Sequence, residues 1–487
     1  MTSGSVISLL AKANRLVKKK NLSEAKKIYN SILSEYPSNQ EAKKALHDLT
    51  TIQDKKSDVP IELIQTISNY YSKGNFKEAF EMIEKAHFEY KINHLLLNIQ
   101  GAIYSKNRDD QKALDSFEKS IQLEPYVGET HNARGFALFR LNLFDEAELA
   151  FRRALELNPN NSAIYNNLGV LLLACNRLED AKICFESAIQ HKGDYYEAYI
   201  HLGNVLKKMD KVPEAMECYK RAVIINPNLF EGHVNLGNTL QGLGQNKKAI
   251  DSYRSALALN PQAKHVRHLL DSLTGKTTEA APKEYVTKVF DEYASRFERH
   301  LTVDLQCDAP TKLRHMFDNF IDFFPNKAKN AVDLGCGTGL CGIAFNGTYE
   351  KICGIDLSSK MLEEAKKKNI YDQLILGDIK DSLDAHVSEF DLFISADTFV
   401  YVGNLFRVFE SAAKRAAPNA GFIFTTESCE IEPYILGKSG RYSHSFSYIE
   451  SVCKQNGFII LKYLQDNLRK EPEGWVLGGF YLAKKMV

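Results

Sequence analysis

Two hydrophobic rhythms divide the chain. In the first half, small and aromatic residues return at a fixed step: glycine stands at Gly101, Gly135, Gly169, Gly203 and Gly237, each 34 residues after the last. Chance would place four further glycines at one step about once in 10⁵. Twelve residues after each comes an alanine (Ala113, Ala147, Ala181, Ala215, Ala249), and four later an aromatic (Phe117, Phe151, Phe185, Tyr219, Tyr253). Proline follows eight residues on at Pro125, Pro159, Pro227 and Pro261, with Gly193 in the remaining slot. The spacing predicts a repeated helix–turn–helix unit: glycine and alanine let two helices approach, the aromatic fills the gap, and proline stops the second helix.

From Lys329 the rhythm changes. Short apolar runs alternate with helical segments, the pattern of a parallel α/β sheet. Strands are expected near 330–334, 351–356, 373–377, 390–396, 420–426, 457–465 and 475–483. Between the halves, "LTGKTTEAAPKE" is polar and carries Gly275 and Pro282, as a linker does.

The first rhythm resembles the tetratricopeptide repeat. Five full repeats span about 94–263, weaker units lie at about 60–93 and 6–39, and "TTIQDKKSDVP" breaks the period as a loop would. Such arrays stack into a curved solenoid with a concave binding face. In "NNLGV", "IHLGN" and "VNLGN", Asn167, His201 and Asn235 fall in register, with Asn204 and Asn238 one turn on. These five are candidate ligand contacts for an extended peptide or protein; the alternative is that they bond within the array or to water.

In the second half, "AVDLGCGTGL" sets Gly335, Gly337 and Gly339 between a strand and a helix, where missing side chains let a ligand approach the backbone. A dinucleotide-type spacing also occurs at Gly337, Gly339 and Gly342, which keeps a nicotinamide or flavin enzyme in play. "VDLGCGTGL" resembles the first motif of class I S-adenosylmethionine-dependent methyltransferases. "GIDLS" follows with Asp356, "LGDIKD" with Asp378, and "FDLFISADTFVYVGNL" after them in the family's order. The resemblance implies S-adenosyl-L-methionine as cofactor, held by Asp333, Gly335, Cys336, Gly337, Gly339, Asp356, Leu357, Asp378 and Ile379. Asp356 would accept from the ribose hydroxyls and Asp378 would contact adenine. The helix "YVTKVFDEYASRFERHL" corresponds to one that covers the pocket in that family, which makes Tyr293 a candidate site residue. Together with "SGRYSHS" and "LRKEPEG", these segments resemble a group of predicted methyltransferases with tetratricopeptide repeats.

The expected fold is therefore two-domain: an all-α repeat solenoid over 1–270, a linker at 271–283, and a Rossmann-like α/β methyltransferase domain with a seven-stranded, mostly parallel sheet over 284–487. Methyl transfer from a sulfonium is an in-line displacement that calls chiefly for positioning and exclusion of water. A base is needed where the acceptor must lose a proton. Asp397 and His444 are the candidate catalytic residues, and Glu427, Arg441 and Arg469 join Tyr293 as candidate substrate contacts, with a carboxylate or hydroxyl acceptor suggested by Arg441 and His444. Trp475, on an expected strand, is read as core.

Composition narrows the classes. With 62 Lys+Arg against 61 Asp+Glu, nothing indicates a nucleic-acid binder. Nine scattered cysteines without a CxxC pair fit neither a zinc site nor a disulfide framework, so no metal is expected and a reducing cytoplasm is. Cys336 and Cys341 read as small side chains rather than redox groups. "MTSGSVISLLAKANRLVKKK" does not resemble a secretory signal, and no apolar run is long enough to cross a membrane. The leading expectation is methylation of a small molecule, or of a protein presented by the solenoid. The competing one is a scaffold whose methyltransferase domain binds cofactor with little catalysis.

Overall fold

The computed structural model describes residues 3–18, 21–37, 39–53, 58–324, 327–431, 433–471 and 474–486. The chain forms two compact units, Met1–Ile225 and Asn226–Val487. The second unit contains not only the α/β sheet but also the helices Phe230–Gly242, Asn246–Leu259 and Lys264–Thr274.

The first unit is a run of antiparallel helix pairs, from Ser3–Lys18 and Leu22–Glu35 through Tyr196–Lys208 and Val212–Ile225. Its stereochemistry repeats because its packing does. A Cβ added at Gly101, Gly135 or Gly169 would meet Phe117 at 2.5 Å, Phe151 at 2.8 Å or Phe185 at 2.6 Å. Each aromatic thus lies edge-on against the bare backbone of the preceding helix. Ala113, Ala147, Ala181 and Ala215 are fully buried beside them. A third periodic position lies in the inter-helix turns, where Arg108, Asn142, Asn176 and Asp210 take φ of 64°, 61°, 58° and 60°. The same slot holds Gly74 at 80° and, in the second unit, Gly244 at 70°. One left-handed residue reverses the chain, and Gly, Asn and Asp adopt it at least cost.

The weak N-terminal unit is a genuine helix pair, closed by buried Ala13, Ala25 and Tyr29. Its interrupting loop is shorter than expected: a further helix, Gln40–Gln53, takes up the start of "TTIQDKKSDVP", whose Asp54–Ser57 lie outside the described residues.

In the second unit, nine strands form one sheet: β1 Ala328–Leu334, β2 Tyr349–Asp356, β3 Gln373–Leu376, β4 Phe390–Ser395, β5 Ala416–Ser428, β6 Tyr434–Leu436, β7 Tyr442–His444, β8 Phe458–Glu471 and β9 Gly474–Lys485. The order β3-β2-β1-β4-β5 is parallel; β9 pairs antiparallel with β5 over Gly421–Glu427, and β8 with β9. The expected seven strands are present. The additional β6 and β7 are three residues each, too short to leave an alternating pattern, and β7 extends the sheet from the end of β5 at Glu427 and Ser428.

Phe393, Phe409, Phe422 and Phe424 build the core on one face of the sheet, while Leu313, Phe317, Phe345 and Phe480 build it on the other. Trp475 is not core: it is 44% exposed at the start of β9. Among the described residues no helix is long and apolar enough to cross a membrane.

Candidate active site

The carboxyl ends of β1, β2, β3 and β4 converge on a cavity of about 1150 Å³, where ligands sit in open α/β sheets. Gly335, Gly337 and Gly339 turn the chain out of β1 with φ of 73°, 52° and 96°. A Cβ on Gly335 would strike Thr398 at 2.2 Å, whereas one on Gly337 would meet only Phe297, at 3.8 Å, so the loop presents bare backbone to the cavity. At the end of β2, Asp356 fastens that loop: Gly337 N donates to Oδ2 at 2.9 Å and Ser358 N to Oδ1 at 2.8 Å. Burial raises the Asp356 pKa, opposed by these amides.

Asp378, after β3, caps the helix Ile379–Ala385 by accepting from Asp381 N at 3.2 Å. Leu357 and Ile379 also line the cavity, as does Cys336. Two of the expected cofactor residues do not. Asp333 is fully buried inside β1, accepts from the Tyr371 hydroxyl at 2.6 Å, and has its pKa pushed up to about 7 by burial. Gly339 faces Tyr371 rather than the cavity. Both hold the loop's shape from behind.

The helix Lys283–Arg299, continued by a π-helical turn His300–Asp304, closes the cavity with Phe290, Tyr293 and Phe297. The rings meet edge to face, Phe290 on Tyr401 at 5.4 Å and Tyr293 on Phe297 at 5.6 Å. Polar ties hold it down. Ser358 Oγ donates to Asp291 Oδ1 at 2.5 Å, Lys283 pairs with Asp381 at 2.8 Å and Asp378 at 3.4 Å, and Lys368 pairs with Glu298. Tyr293 is thus brought to the site.

The remaining candidates sort differently from their sequence expectation. Asp397 lines the cavity just beyond β4, held at φ 53° with its amide donating to Thr425 Oγ1 at 2.8 Å. Left-handed backbone at a non-glycine residue is a feature of functional sites, though Asp tolerates it. Arg469, by contrast, is 1% exposed, and its guanidinium is consumed by Asp397 at 2.6 Å, by Glu427, and by Glu471 at 3.0 Å. Neither Arg469 nor Glu427 reaches the cavity as a substrate contact. Arg441 does line it, yet its guanidinium is paired with Glu471 at 2.5 Å.

His444 is a correction to the expected base. It is fully buried on β7, its Nε2 donates to the carbonyls of Val402 at 2.9 Å and Gly403 at 3.0 Å, and burial lowers its pKa to about 4. A neutral ring sealed away from the cavity cannot take a proton from an acceptor there. Burial pushes the Cys307 thiol at the cavity up to about 12 and raises those of Cys336 and Cys341, which disfavours the reactive thiolate at these three. No metal-ligating cluster occurs among the described residues.

In the repeats the five-residue polar register separates into parts. Asn204 Oδ1 accepts from the Tyr219 hydroxyl at 2.7 Å, and Asn238 Oδ1 from Tyr253 at 2.9 Å. Those carboxamides serve the array's own buried hydroxyls. Asn167 donates to Asn132 at 3.0 Å, and His201 stacks on Phe185 at 5.3 Å. Asn235 is partly buried. The sequence reading missed this pairing, whose signal lies in the spacing: where the aromatic is Phe117, Phe151 or Phe185, the residue fifteen earlier is Ala102, Phe136 or Val170. Asn appears only beside Tyr in these five repeats.

The fold is thus a run of helical repeats followed by an α/β domain with a ligand-sized cavity at the carboxyl ends of its strands. A family model described as a methyltransferase domain matches residues 325–473, and tetratricopeptide repeat models match 128–161, 150–183, 196–229 and 230–263. The chain carries a methyltransferase domain C-terminal to tetratricopeptide repeats. It is 33% identical over 139 residues to the malonyl-[acyl-carrier protein] O-methyltransferase of Priestia megaterium, covering 27% of this chain and 49% of that one. It is 28% identical over 156 residues to the biotin biosynthesis bifunctional protein BioHC of Saccharophagus degradans, 28% of each chain. The matches thus span about half or less of these relatives. Among solved structures, MamA aligns with 22% identity and a TM-score of 0.31, over 33% of this chain and 95% of that one.

Proposed function

We propose that the chain transfers a methyl group from S-adenosylmethionine to an acceptor that enters the cavity beside Asp397. The observation that carries this is the cradle itself: a left-handed glycine loop with an open face at Gly337, fastened by Asp356 and covered by an aromatic helix. Asp356 accepts from the Gly337 amide on Oδ2 and the Ser358 amide on Oδ1, with the Leu357 amide also bonded to the carboxylate, and the capacity that remains is available to a ribose hydroxyl. Asp378 and Ile379 border the adenine end. When bound, this cofactor supplies an electrophilic methyl group.

The chain's own part is to orient and to dry. Phe290, Tyr293 and Phe297 exclude water. Asp397 is tied to Arg469 through Oδ1, which leaves Oδ2 to accept a proton or a hydrogen bond from the acceptor. Because both arginines are internally neutralised and His444 is sealed off, the acceptor need not be a carboxylate. It is a small molecule or a protein group, and the repeats bind a peptide or protein that is, or brings, the acceptor.

Calorimetric titration of the full chain with S-adenosylmethionine and S-adenosylhomocysteine tests this. Micromolar binding is expected, weakened about tenfold or more in Asp356→Ala, which removes hydrogen bonds to a charged acceptor. Binding of neither ligand would discard the proposal in favour of the scaffold, and binding of a nicotinamide cofactor instead would make the domain an oxidoreductase.

A further inference from the structure

The cavity wall that carries Arg441 is not held by the sheet alone. Arg441 sits at the end of the turn Gly437–Gly440 between β6 and β7, closed by Gly437 N donating to Arg441 O at 2.8 Å and Gly440 N to Gly437 O at 3.0 Å. Four anchors fix this turn, and all come from residues before the methyltransferase fold begins: on the residue before it, Leu436 N donates to Thr277 Oγ1 at 3.2 Å, and three more follow. At its apex, Gln241 Nε2 donates to Lys438 O at 2.7 Å. On the residue preceding Arg441, His268 Nε2 bonds Gly440 O at 3.0 Å; a carbonyl only accepts, so Nε2 carries the proton. On the residue following it, the Tyr442 hydroxyl meets Thr278 Oγ1 at 2.6 Å.

His268 is 2% exposed and lies against the rings of Tyr285 at 5.1 Å and Tyr442 at 6.1 Å. Gly440 has φ 80°, the left-handed conformation that glycine adopts without strain, and it is this backbone turn that presents its carbonyl to His268. Beyond Arg441 the bonding continues through Glu471 to Arg469 and on to Asp397. From the helix Lys264–Thr274, the path to the acid at the cavity runs through the bond to Gly440, the backbone to its neighbour Arg441, and then the ion pairs. The same helix falls in the compact unit of the sheet.

We propose that His268, Gln241 and Thr278 are positioning residues for the acceptor side of the cavity: they set Arg441, and through Glu471 and Arg469 they set Asp397. The catalytic unit then includes the last repeat helices from about residue 226, and a fragment starting at Lys283 has an unpinned wall. This rests on the cavity being the methyl-transfer site.

The test uses full-length protein, hydrogen exchange read by mass spectrometry on peptides covering 434–444, and S-adenosylhomocysteine titration. His268→Phe keeps a ring without the donor, His268→Gln keeps the donor, and Gln241→Glu removes the apex donor while retaining an acceptor for the Tyr253 hydroxyl. Exchange in 434–444 is expected to speed about fivefold or more in His268→Phe and Gln241→Glu, and to return to within about twofold of wild type in His268→Gln. Cofactor affinity stays within about twofold throughout. Wild-type exchange in His268→Phe, or no rescue by His268→Gln, overturns the positioning role. Failure of the wild type to bind the cofactor product strikes the functional proposal alone, since the exchange result stands independently of it.

Discussion

The pairing of Asn204 with Tyr219 can be taken apart quantitatively. Tyr219 is 1% exposed, with its hydroxyl 2.7 Å from Asn204 Oδ1, while Asn204 is only partly buried. Removing the hydroxyl by Tyr219→Phe leaves a carboxamide that water can reach, costing about 0.5–1 kcal/mol. Removing the acceptor by Asn204→Val strands a hydroxyl under the repeat, costing about 1–3 kcal/mol. The double variant recreates the Val170 and Phe185 pair of the preceding repeat, where Phe185 is fully buried against Gly169. It should fall within about 0.5 kcal/mol of wild type, giving a coupling of about 1–4 kcal/mol. Urea unfolding followed by far-ultraviolet circular dichroism, compared at equal slopes, reads all four corners of the cycle.

The neighbouring pair supplies an internal control. The Tyr253 hydroxyl has a second acceptor, Gln241 Oε1 at 2.6 Å, besides Asn238. Asn238→Val should therefore cost less than Asn204→Val. If Asn204→Val is no worse than Tyr219→Phe, or the double variant costs the sum of the singles, these carboxamides do not serve the buried hydroxyls and the ligand-ladder interpretation returns.

Further outcomes are expected elsewhere. In the inter-helix turns, Arg108→Asn should raise stability by about 0.5–1 kcal/mol in the same urea assay, because Asn tolerates the φ of 64° at lower cost; an unchanged midpoint would show the turn to be unstrained. Gly169→Ala should lower stability by about 1–3 kcal/mol despite its better helix propensity, since its Cβ would lie 2.6 Å from Phe185; stabilisation would mean the ring moves freely aside. Asp333 has a folded pKa raised to about 7, so between about pH 4 and 7 the native state holds a proton that the unfolded state has lost. Its contribution therefore becomes less favourable as pH rises through that window, by up to ~4 kcal/mol, and Asp333→Asn should flatten the fall in melting temperature from pH 5 to 8; parallel curves would refute the buried charge. Untying the covering helix by Asp291→Ala, which removes the acceptor for Ser358 Oγ, should raise the S-adenosylhomocysteine dissociation rate about fivefold in stopped flow, and no change would mean the helix does not gate release.

Backbone constraints left the clearest marks in the chain. The glycine facing an aromatic in each of the five full repeats, and the glycine loop after β1, could be read directly because a Cβ at Gly169 or Gly335 collides with Phe185 or Thr398. The left-handed turn slot was equally periodic but harder to notice, since Gly74, Arg108, Asn142, Asn176, Asp210 and Gly244 share a conformation rather than a residue type. Charged groups behaved otherwise. Arg441 and Arg469 looked like anion contacts until the fold brought Glu471 and Asp397 to them, and the distance along the chain from Asp397 to Arg469 hides that pairing from any local pattern. His444 looked like a base because its burial depends on β6 and β7, strands of three residues each, too short to leave an alternating pattern. A side chain's partner is set by topology, whereas a backbone's requirement is set by its own residue. The specificity of this site should accordingly be sought where topology leaves something unspent: at Asp397 Oδ2, and on the aromatic faces of Tyr293 and Phe297 that close over the glycine loop.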